Sequence, residues 1–223
     1  MKKIHIITVA LTFCTLTVSA QKGIKDILCG IPETVIPYIN DEQREEISKF
    51  TSDADTVKIK NKLNGITEIN VAGNDFAQIK LNKSATLQLK LLPLNDTTQI
   101  ICLIKTMATP IKESAIKFYS TDWKPLAQNF GLPEFNDADT VITEFTQRPD
   151  TMQANKFEDL CEYLEPVIIY ADISPKDNII TYGPSIPFAS KAEKEELKAQ
   201  NEENKDLFAA MKEALGDKVS EVR

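Results

Sequence analysis

Ser114 and Lys117 are spaced as in the S-x-x-K motif, in which a serine attacks an acyl group with the help of a lysine. That chemistry requires both side chains on one face of a helix. Here the surrounding residues predict a strand, which would place the two side chains on opposite faces. The companion motif is also missing, because Lys105-Thr106 is followed by Met107 rather than by glycine. We therefore do not expect a serine acyl enzyme.

A pair of facing carboxylates is a second arrangement that could support hydrolysis, since two acids can cleave a glycosidic bond without histidine. Most acidic residues of the chain fall on predicted polar helix faces or beside turns. The acids considered are Glu33, Asp41, Glu158, Asp159, Glu162 and Glu165. One tryptophan and five tyrosines offer few rings for stacking on a sugar. A carboxylate-pair hydrolase acting on glycans is the alternative hypothesis, with no catalytic residue assigned.

A short acidic motif occurs twice, as Asp53-Ala54-Asp55-Thr56-Val57 and as Asp137-Ala138-Asp139-Thr140-Val141. The spacing of its acids is similar to the start of a calcium-binding loop. The third acid, the glycine and the closing glutamate of such a loop are absent. Low-affinity calcium binding is one interpretation, and an acidic turn that leads into a strand is the other. We assign no metal ligand.

The first twenty residues predict a signal peptide. A pair of lysines gives a positive start, and residues 4–18 form an apolar run too short to remain as a membrane span. Val18-Ser19-Ala20 then provides the small residues that a signal peptidase requires. We predict cleavage between Ala20 and Gln21.

Removal of this segment would take away His5, the one histidine, and Cys14, one of four cysteines. Without imidazole, the mature chain lacks the usual base of serine and cysteine hydrolases and the usual ligand of zinc and non-haem iron. Three cysteines are too few for a four-cysteine metal site. We expect no metal and no cofactor. Cys14 lies within the apolar run, after Phe13, so it does not predict a lipid anchor.

Charge and hydropathy restrict the partners. The formal net charge is −7 at pH 7, and loss of the two leader lysines would make it about −9. Acids and bases are interspersed, with no basic stripe for phosphates, so we expect neither nucleic acid nor an anionic membrane surface as a partner. No second apolar stretch reaches transmembrane length. The sequence therefore predicts a soluble periplasmic or secreted protein.

Cys29, Cys102 and Cys161 remain in the mature chain. An odd number allows at most one internal disulfide and leaves one free thiol, and the pairing stays open. Cys102 lies in an apolar strand-like run, and Cys161 shares a helical stripe with Phe157 and Leu160, so both are predicted to be small core residues. Cys29 lies off the apolar stripe of its helix and is the expected exposed thiol.

Apolar periodicity predicts the elements that position these residues. From Thr56 onward, apolar residues alternate with polar ones and are separated by turns that contain asparagine or glycine, which predicts an antiparallel meander. The run Ile100–Ile104 is apolar on both faces and predicts a central strand. Strands are expected around Val57–Ile59, Ile69–Val71, Ala77–Leu81, Leu87–Leu91 and 100–104, and further strands at Ala115–Tyr119, Val141–Phe145, Val167–Ile173 and Asn178–Tyr182.

Helices are predicted towards both ends of the chain. Apolar spacing and Pro32 indicate a first helix that ends near Ile31. Asn40 and Gln43 are spaced as a capping pair for a second helix over Asp41–Phe50. Two further helices are expected at Phe157–Leu164 and in the charged tail after Ser190, whose last amphipathic stretch ends at Gly216. This stretch would pack on its own domain or on a partner.

The predicted fold class is α+β, with a long antiparallel meander, helices at the amino-terminal end and a helical carboxyl-terminal tail. Closure of the meander towards a barrel or a sandwich stays open at this stage. The predicted organisation is a signal peptide over residues 1–20, the meander domain over residues 21–189 and the charged tail over residues 190–223.

Five segments of the chain carry a resemblance to a known family: Ile31-Pro32, Pro37-Tyr38-Ile39, Leu81 through Ser84 to Lys90-Leu91-Leu92-Pro93, Ile101-Cys102, and the run from Ile116-Lys117 to Pro125-Leu126. In these segments the chain resembles a family of small exported Bacteroidales proteins of unknown function. The resemblance covers residues 25–190 and gives no activity, ligand or catalytic residue. Tyr119 and Trp123 in that last run are expected in the core of a hairpin.

Four tripeptides read Asp-Thr followed by an apolar residue or threonine. In such bacteria, exported proteins can be O-glycosylated at Asp-Thr-apolar tripeptides, so the resemblance implies acceptors at Thr56, Thr97, Thr140 and Thr151. The alternative is that Asp-Thr simply suits turns.

The primary hypothesis is an exported, non-enzymatic envelope protein that acts as a binding or accessory module for an unknown protein or ligand. A third hypothesis is a subunit whose carboxyl-terminal amphipathic helix docks on a partner.

Overall fold

Seven strands follow one another along the chain and pair in sequence order to form an open antiparallel meander. A computed structural model describes residues 21–47, 56–108, 111–135, 138–163, 168–185, 209–211 and 213–222. The strands of the meander are β1 (Thr56–Lys60), β2 (Ile66–Ala72), β3 (Phe76–Lys80), β4 (Ala85–Pro93), β5 (Gln99–Met107), β6 (Glu113–Ser120) and β7 (Pro125–Leu126). Because β1 and β7 lie at opposite ends of this order, the sheet is not closed into a barrel.

The predicted turns join the first strands. Asn64 and Gly73 both have a positive φ, of 60° and 69°, in the connections after β1 and β2. Asparagine and glycine tolerate this backbone conformation better than other residues. The Asn61 side-chain oxygen accepts hydrogen bonds from the backbone N–H groups of Leu63 and Gly65, both at 3.0 Å. The register of the β1–β2 hairpin is therefore fixed by local side-chain chemistry.

Helices α1 (Ile24–Cys29) and α2 (Asp41–Ile47) pack on one face of the meander. The predicted capping pair is present, since Gln43 N–H donates to Asn40 Oδ1 and Asn40 N–H donates to Gln43 Oε1. Residues 48–50 of the predicted second helix lie outside the described residues. The apolar side chains of this first core include Ile24, Ile27, Leu28, Ile69, Ile79, Leu87, Leu89 and Ile101.

A second, three-stranded antiparallel sheet covers the opposite face. Its strands are β8 (Ile168–Ile173), β9 (Ile179–Ser185) and β10 (Lys218–Glu221), with β9 in the middle. Strands β8 and β9 fall where the sequence predicted them. The second core joins meander side chains such as Ile100, Cys102, Ile104 and Phe118 to Ile173, Ile180 and Tyr182. The meander is therefore the middle layer of three.

The central strands β4 and β5 are buried on both faces. The apolar run Ile100–Ile104 predicted this for β5, whereas β4 was predicted only as an alternating strand. Strand β4 also carries two buried polar side chains into the second core. Lys90 is 1 % exposed, and its Nζ donates to the carbonyl of Pro175 at 2.9 Å. Gln88 donates to the carboxylate of Asp172 and accepts a hydrogen bond from Ile173 N–H at 3.4 Å. These contacts fix the β8–β9 hairpin to the meander.

The strand predicted over Val141–Phe145 is wrong, because these residues belong to helix α3 (Ala138–Phe145). Phe145 is buried in the second core, and Thr146 N–H donates to the carbonyl of Ile142 at 2.9 Å. Residues 141 and 145 are four apart, which places them on one helix face. The β-branched residues favoured a strand, but this spacing lets the helix bury Phe145.

The helix predicted over Phe157–Leu164 is α4 (Ala154–Tyr163), which begins three residues earlier, and Leu164 lies outside the described residues. Leu160 of α4 packs with Met211 and Ala214 of the tail in a small third core, so these tail residues dock on the chain's own fold. The backbone of Gln147 donates to the carbonyl of Ala214 at 2.8 Å. Strand β10 follows and was not predicted. The division at residue 190 stays a prediction, since residues 186–208 lie outside the described part.

Within the described part of the chain, every helix is too short or too polar to cross a membrane.

Candidate functional site

The structure places Ser114 and Lys117 on strand β6, so the predicted strand is confirmed for the S-x-x-K segment. Ser114 Oγ lies 2.8 Å from Thr106 Oγ1 and donates to the carbonyl of Ala171 at 3.3 Å. Alternation along the strand directs the Lys117 side chain to the other face. The serine hydroxyl is thus engaged in structural hydrogen bonds, and the lysine is not placed to activate it.

The acids that the sequence offered for hydrolysis do not come together among the described residues. Glu33 bonds to Lys62, and this hydrogen bond lowers the pKa of the Glu33 carboxyl. Asp41 lies 3.6 Å from Arg44 on α2. The remaining described acids of that set, Glu158, Asp159 and Glu162, are exposed on α4. Glu165 lies outside the described residues.

No group of three or more histidine, cysteine, aspartate or glutamate side chains is positioned to hold a metal ion in the described part. Both copies of the acidic motif fall partly outside this part. Residues 53–55 and Asp137 are not described, and Thr140 lies in α3 rather than at the start of a strand.

A cleft of about 710 Å³ lies between the two sheets. Strands β6 and β7 line it on one side and residues 168–171 of β8 on the other, and residues between Ala127 and Phe135 also contribute to the lining. The lining is mostly apolar or aromatic and includes Phe118, Leu126, Leu132, Phe135 and Ile169. A volume of this size is typical of sites that bind small molecules or short peptides.

Tyr182 of β9 contributes to the lining of this cleft. The residue is 3 % exposed, and its hydroxyl has no hydrogen-bond partner among the described residues. Burial raises the pKa of the Tyr182 phenol, and the Cys102 thiol adds to the effect. An unpaired buried hydroxyl costs about 1–3 kcal/mol. The hydroxyl is itself enclosed, so this cost is carried within the second core, to which Tyr182 belongs.

Tyr170 of β8 contributes a second aromatic wall, and its position depends on Gly183 of the neighbouring strand. A Cβ atom at Gly183 would lie 2.3 Å from Tyr170 Cζ, so the ring occupies the space that a side chain would need. Lys112 Nζ lies 3.6 Å from the centre of the same ring. The cation and the glycine together hold the phenol ring at the cleft.

Trp123 and Tyr119 pack together with ring centres 5.5 Å apart. Trp123 Nε1 donates to the carbonyl of Ile27 at 3.2 Å, which joins the β6–β7 hairpin to α1. Both rings pack against the first core, as expected for the core of a hairpin. Trp123 is not among the residues that line the cleft, whereas Tyr119 reaches its margin.

The three described cysteines are unpaired thiols. Cys29 is exposed and Cys102 is buried, as the sequence predicted, and Cys161 is partly buried. Burial raises the pKa of the Cys102 thiol to about 12. None of the three lines the cleft.

The four Asp-Thr threonines lie at separate places on the surface. Thr56 begins β1, Thr97 lies in the β4–β5 turn, Thr140 lies in α3 and Thr151 precedes α4. All four side chains are exposed. Ala20 lies outside the described residues. Gln21, on the other side of the predicted cleavage point, donates through its side chain to the carbonyl of Asp96 at 3.3 Å.

Sequence reasoning did not identify the cleft or its residues. Strands β6 and β8 were both predicted. Their contact depends on how the second sheet packs on the meander, which the sequence of either strand does not show. The available signal was the pairing of Tyr170 with Gly183, an aromatic residue opposite a glycine, although the second predicted strand ended at Tyr182. That pairing could be read only after the two strands were placed in register.

Comparison with known proteins gives a fold and a family. A structure described as a domain of an uncharacterized protein from Porphyromonas gingivalis W83 matches with a TM-score of 0.68. The two chains are 19 % identical, and the match covers 91 % of this chain and 96 % of the other. No curated protein matches the sequence. A family model described as a protein of unknown function (DUF3256) matches residues 15–213. The chain therefore belongs to the DUF3256 family, in agreement with the resemblance found in the sequence.

Proposed function

We propose that this chain is an exported, non-enzymatic envelope protein, and that the cleft between the two sheets is its ligand-binding site. The observation that carries the proposal is the cleft of about 710 Å³, in which apolar and aromatic side chains lie beside polar groups. A pocket of this size that combines apolar walls with polar groups is typical of binding sites.

The polar groups at the cleft support binding rather than catalysis. Glu113 is the one carboxylate among the described lining residues, whereas hydrolysis of a glycoside requires two. Ser114 has its hydroxyl engaged by Thr106 and Ala171. Nothing in this lining favours the alternative of a carboxylate-pair hydrolase.

Binding can be tested with the fluorescent probe anilinonaphthalene sulfonate, which becomes bright in apolar sites. We expect one probe per chain and a loss of at least about tenfold in affinity for Ile168→Glu, because a carboxylate at the cleft wall disfavours apolar contact and repels the sulfonate of the probe. Leu63→Glu is the matched control, since Leu63 is 67 % exposed and does not line the cleft. Unchanged probe binding by Ile168→Glu, with the circular dichroism of the wild type, would overturn the proposal.

Export is the second part of the proposal. Its support is the predicted leader over residues 1–20, together with the contacts that hold the residues after it. Gln21 bonds to Asp96, and Lys22 Nζ lies 2.7 Å from Asp122 Oδ1. Amino-terminal sequencing of the envelope fraction should give Gln21 as the first residue. A mature protein that still begins at Met1 would contradict export by this leader.

O-glycosylation at Thr56, Thr97, Thr140 and Thr151 also belongs to the proposal. The exposure of all four side chains supports it. The intact mass of protein purified from the native cell should exceed the mass of the chain from Gln21, and replacement of the four threonines by valine should remove the excess. A mass equal to that of the unmodified chain would refute the modification.

A further inference from the structure

Strand β6 is only partly paired on the side that faces the edge of the meander, because its neighbour β7 is short. Strand β5 pairs with β6 from Glu113 to Ser120, but β7 pairs only with Phe118 and Tyr119. The first five residues of β6, from Glu113 to Lys117, therefore have a strand on one side only among the described residues.

The hydrogen-bonding groups that point to this open edge follow from strand geometry. Ser120 N–H donates to the carbonyl of Lys124 at 2.9 Å, so the backbone groups of Ser120 point towards β7. In an antiparallel strand both groups of a residue point to one side, and the side alternates along the chain. Ser114 and Ile116 therefore direct their N–H and C=O groups to the open edge, where no described backbone group bonds to them.

The cleft runs along this edge. Ile116 and Lys117 have side chains on opposite faces of β6, yet both line the same cleft, so the cleft lies beside the strand rather than over one face. On the other wall, consecutive residues of β8 from Ile168 to Ala171 line the cleft in the same way. Strand β8 is itself an edge strand, with β9 on its other side. Two strand edges thus border a space that is lined by both apolar and polar side chains.

We infer that the ligand of the proposed binding site is an extended peptide segment of another protein, which adds to β6 as an antiparallel strand beside Ser114 and Ile116. The inference rests on the proposed function, because it names the ligand class of the same cleft. The peptide would continue the row of β7 beyond Leu126, where the chain leaves the sheet. Its backbone would satisfy the open groups of β6, and alternate side chains would enter the cleft.

Charge determines which peptide fits. Glu113 and Lys117 lie at the two ends of the open edge, both exposed on the same face, and neither forms an ion pair with another described residue. An antiparallel peptide runs from Lys117 towards Glu113. It should therefore begin with an acidic residue opposite Lys117 and end with a basic residue opposite Glu113. The residues opposite Ile116 and Ser114 face the cleft and should be apolar.

The probe that follows from this pattern is a fluorescein-labelled pentapeptide, Glu-Leu-Thr-Val-Lys, with blocked ends. The leucine and valine amides would bond to Ile116 and Ser114, whereas the threonine amide would point away. We expect saturable binding by fluorescence anisotropy, with a loss of about tenfold or more on N-methylation of the leucine amide. N-methylation of the threonine amide is the matched control and should change the affinity by less than about threefold.

Charge reversal tests the register independently. The double variant Glu113→Lys with Lys117→Glu should bind Lys-Leu-Thr-Val-Glu better than Glu-Leu-Thr-Val-Lys, which inverts the preference of the wild type. Both positions are exposed, so we expect the variant to fold.

The outcomes separate this inference from the proposed function. Equal binding of the parent peptide and its N-methyl-leucine form would overturn strand addition. Absence of peptide binding, with anilinonaphthalene sulfonate still bound at the cleft, would also overturn it and leave the proposed function standing. Absence of both ligands from the cleft would overturn both.

Discussion

Lys90 Nζ lies 2.9 Å from Asp75 Oδ2, although the lysine side chain is buried and the aspartate side chain is 47 % exposed. The ammonium thus lies inside the second core, and its partner carboxylate lies at the margin. The backbone supports the same contact, since Leu91 N–H donates to the carbonyl of Asp75 at 2.7 Å. A buried charge of this kind is tolerated only when it is paired and hydrogen-bonded.

Removal of the carboxylate should therefore cost more than removal of the ammonium. We expect Asp75→Ala to lower the free energy of unfolding by about 2 kcal/mol, below the usual cost of breaking a buried pair because water reaches Asp75. Lys90→Met should change it by less than about 1 kcal/mol, since the charge leaves with its desolvation cost. Urea unfolding measures both. The control is Lys58→Met, which removes an exposed pair with Glu68, and an Asp75→Ala cost no larger than that of Lys58→Met would contradict the expectation.

Gly183→Ala should destabilise the fold by about 1–3 kcal/mol, because the new Cβ would displace the Tyr170 ring. The same substitution in a Tyr170→Ala background should cost little, which makes a double-mutant cycle measured by urea unfolding the decisive test. Gly216→Ala is the control, since a Cβ there meets no atom within 4 Å. Equal costs of Gly183→Ala in the two backgrounds would show that the ring does not set the requirement for glycine.

Trp123→Phe should lower the free energy of unfolding by about 1 kcal/mol, because phenylalanine keeps an aromatic ring but cannot donate to the Ile27 carbonyl. The midpoint of urea unfolding, followed by far-ultraviolet circular dichroism, measures the loss. Tyr119→Phe keeps the ring packing and removes only a hydroxyl, so its effect should stay within about 0.5 kcal/mol. If the two variants are equally stable, the hydrogen bond to α1 contributes nothing.

The cysteines should differ in reactivity and in their effect at high pH. Dithionitrobenzoate should label Cys29 in the folded protein and Cys102 only after unfolding. Because burial raises the pKa of Cys102 from 9.0 to about 12, the folded state keeps its proton when the unfolded state has lost it. The contribution of the Cys102 thiol to the free energy of unfolding is therefore complete below pH 9.0, and it is lost as the pH rises towards 12.

The stability difference between wild type and Cys102→Ala should therefore fall with rising pH in this window, by up to about 1.4 kcal/mol per pH unit. Urea unfolding at several pH values measures it, and Cys29→Ala is the control on an exposed thiol. If the stability difference between wild type and Cys102→Ala does not change with pH, the pKa of Cys102 is not raised in the folded protein.

Most of the meander could be predicted because its signals are local. Alternation in β2, β3 and β4 and the turn residues Asn64 and Gly73 each act within a few positions, and the sequence of β5 is apolar on both faces. Helix α3 was missed because its β-branched residues favour a strand in isolation. The burial of Phe145 in the second core favours the helix instead. Strand β10 was missed because its pairing with β9 is long-range.

The candidate site could not be predicted for the same physical reason. Its walls come from β6 and β8, which are separated by two helices in sequence, and the contact of Ser114 with Ala171 exists only in the folded chain. The S-x-x-K spacing did draw attention to β6. Its relevance is the strand edge between Ser114 and Lys117, not a nucleophile.

Strand β10 gives the fold a kinetic order. The hairpins of the meander join neighbouring segments and have low contact order. They can therefore form early, while the carboxyl-terminal part of the chain is still being synthesised. The second sheet cannot be completed until residues 218–221 reach β9. Until then β9 has one open edge, and polar contacts from Lys90, Gln88 and Ser114 hold the β8–β9 hairpin to the meander. A chain truncated before residue 218 would therefore expose a strand edge prone to aggregation, and quality control could act on it.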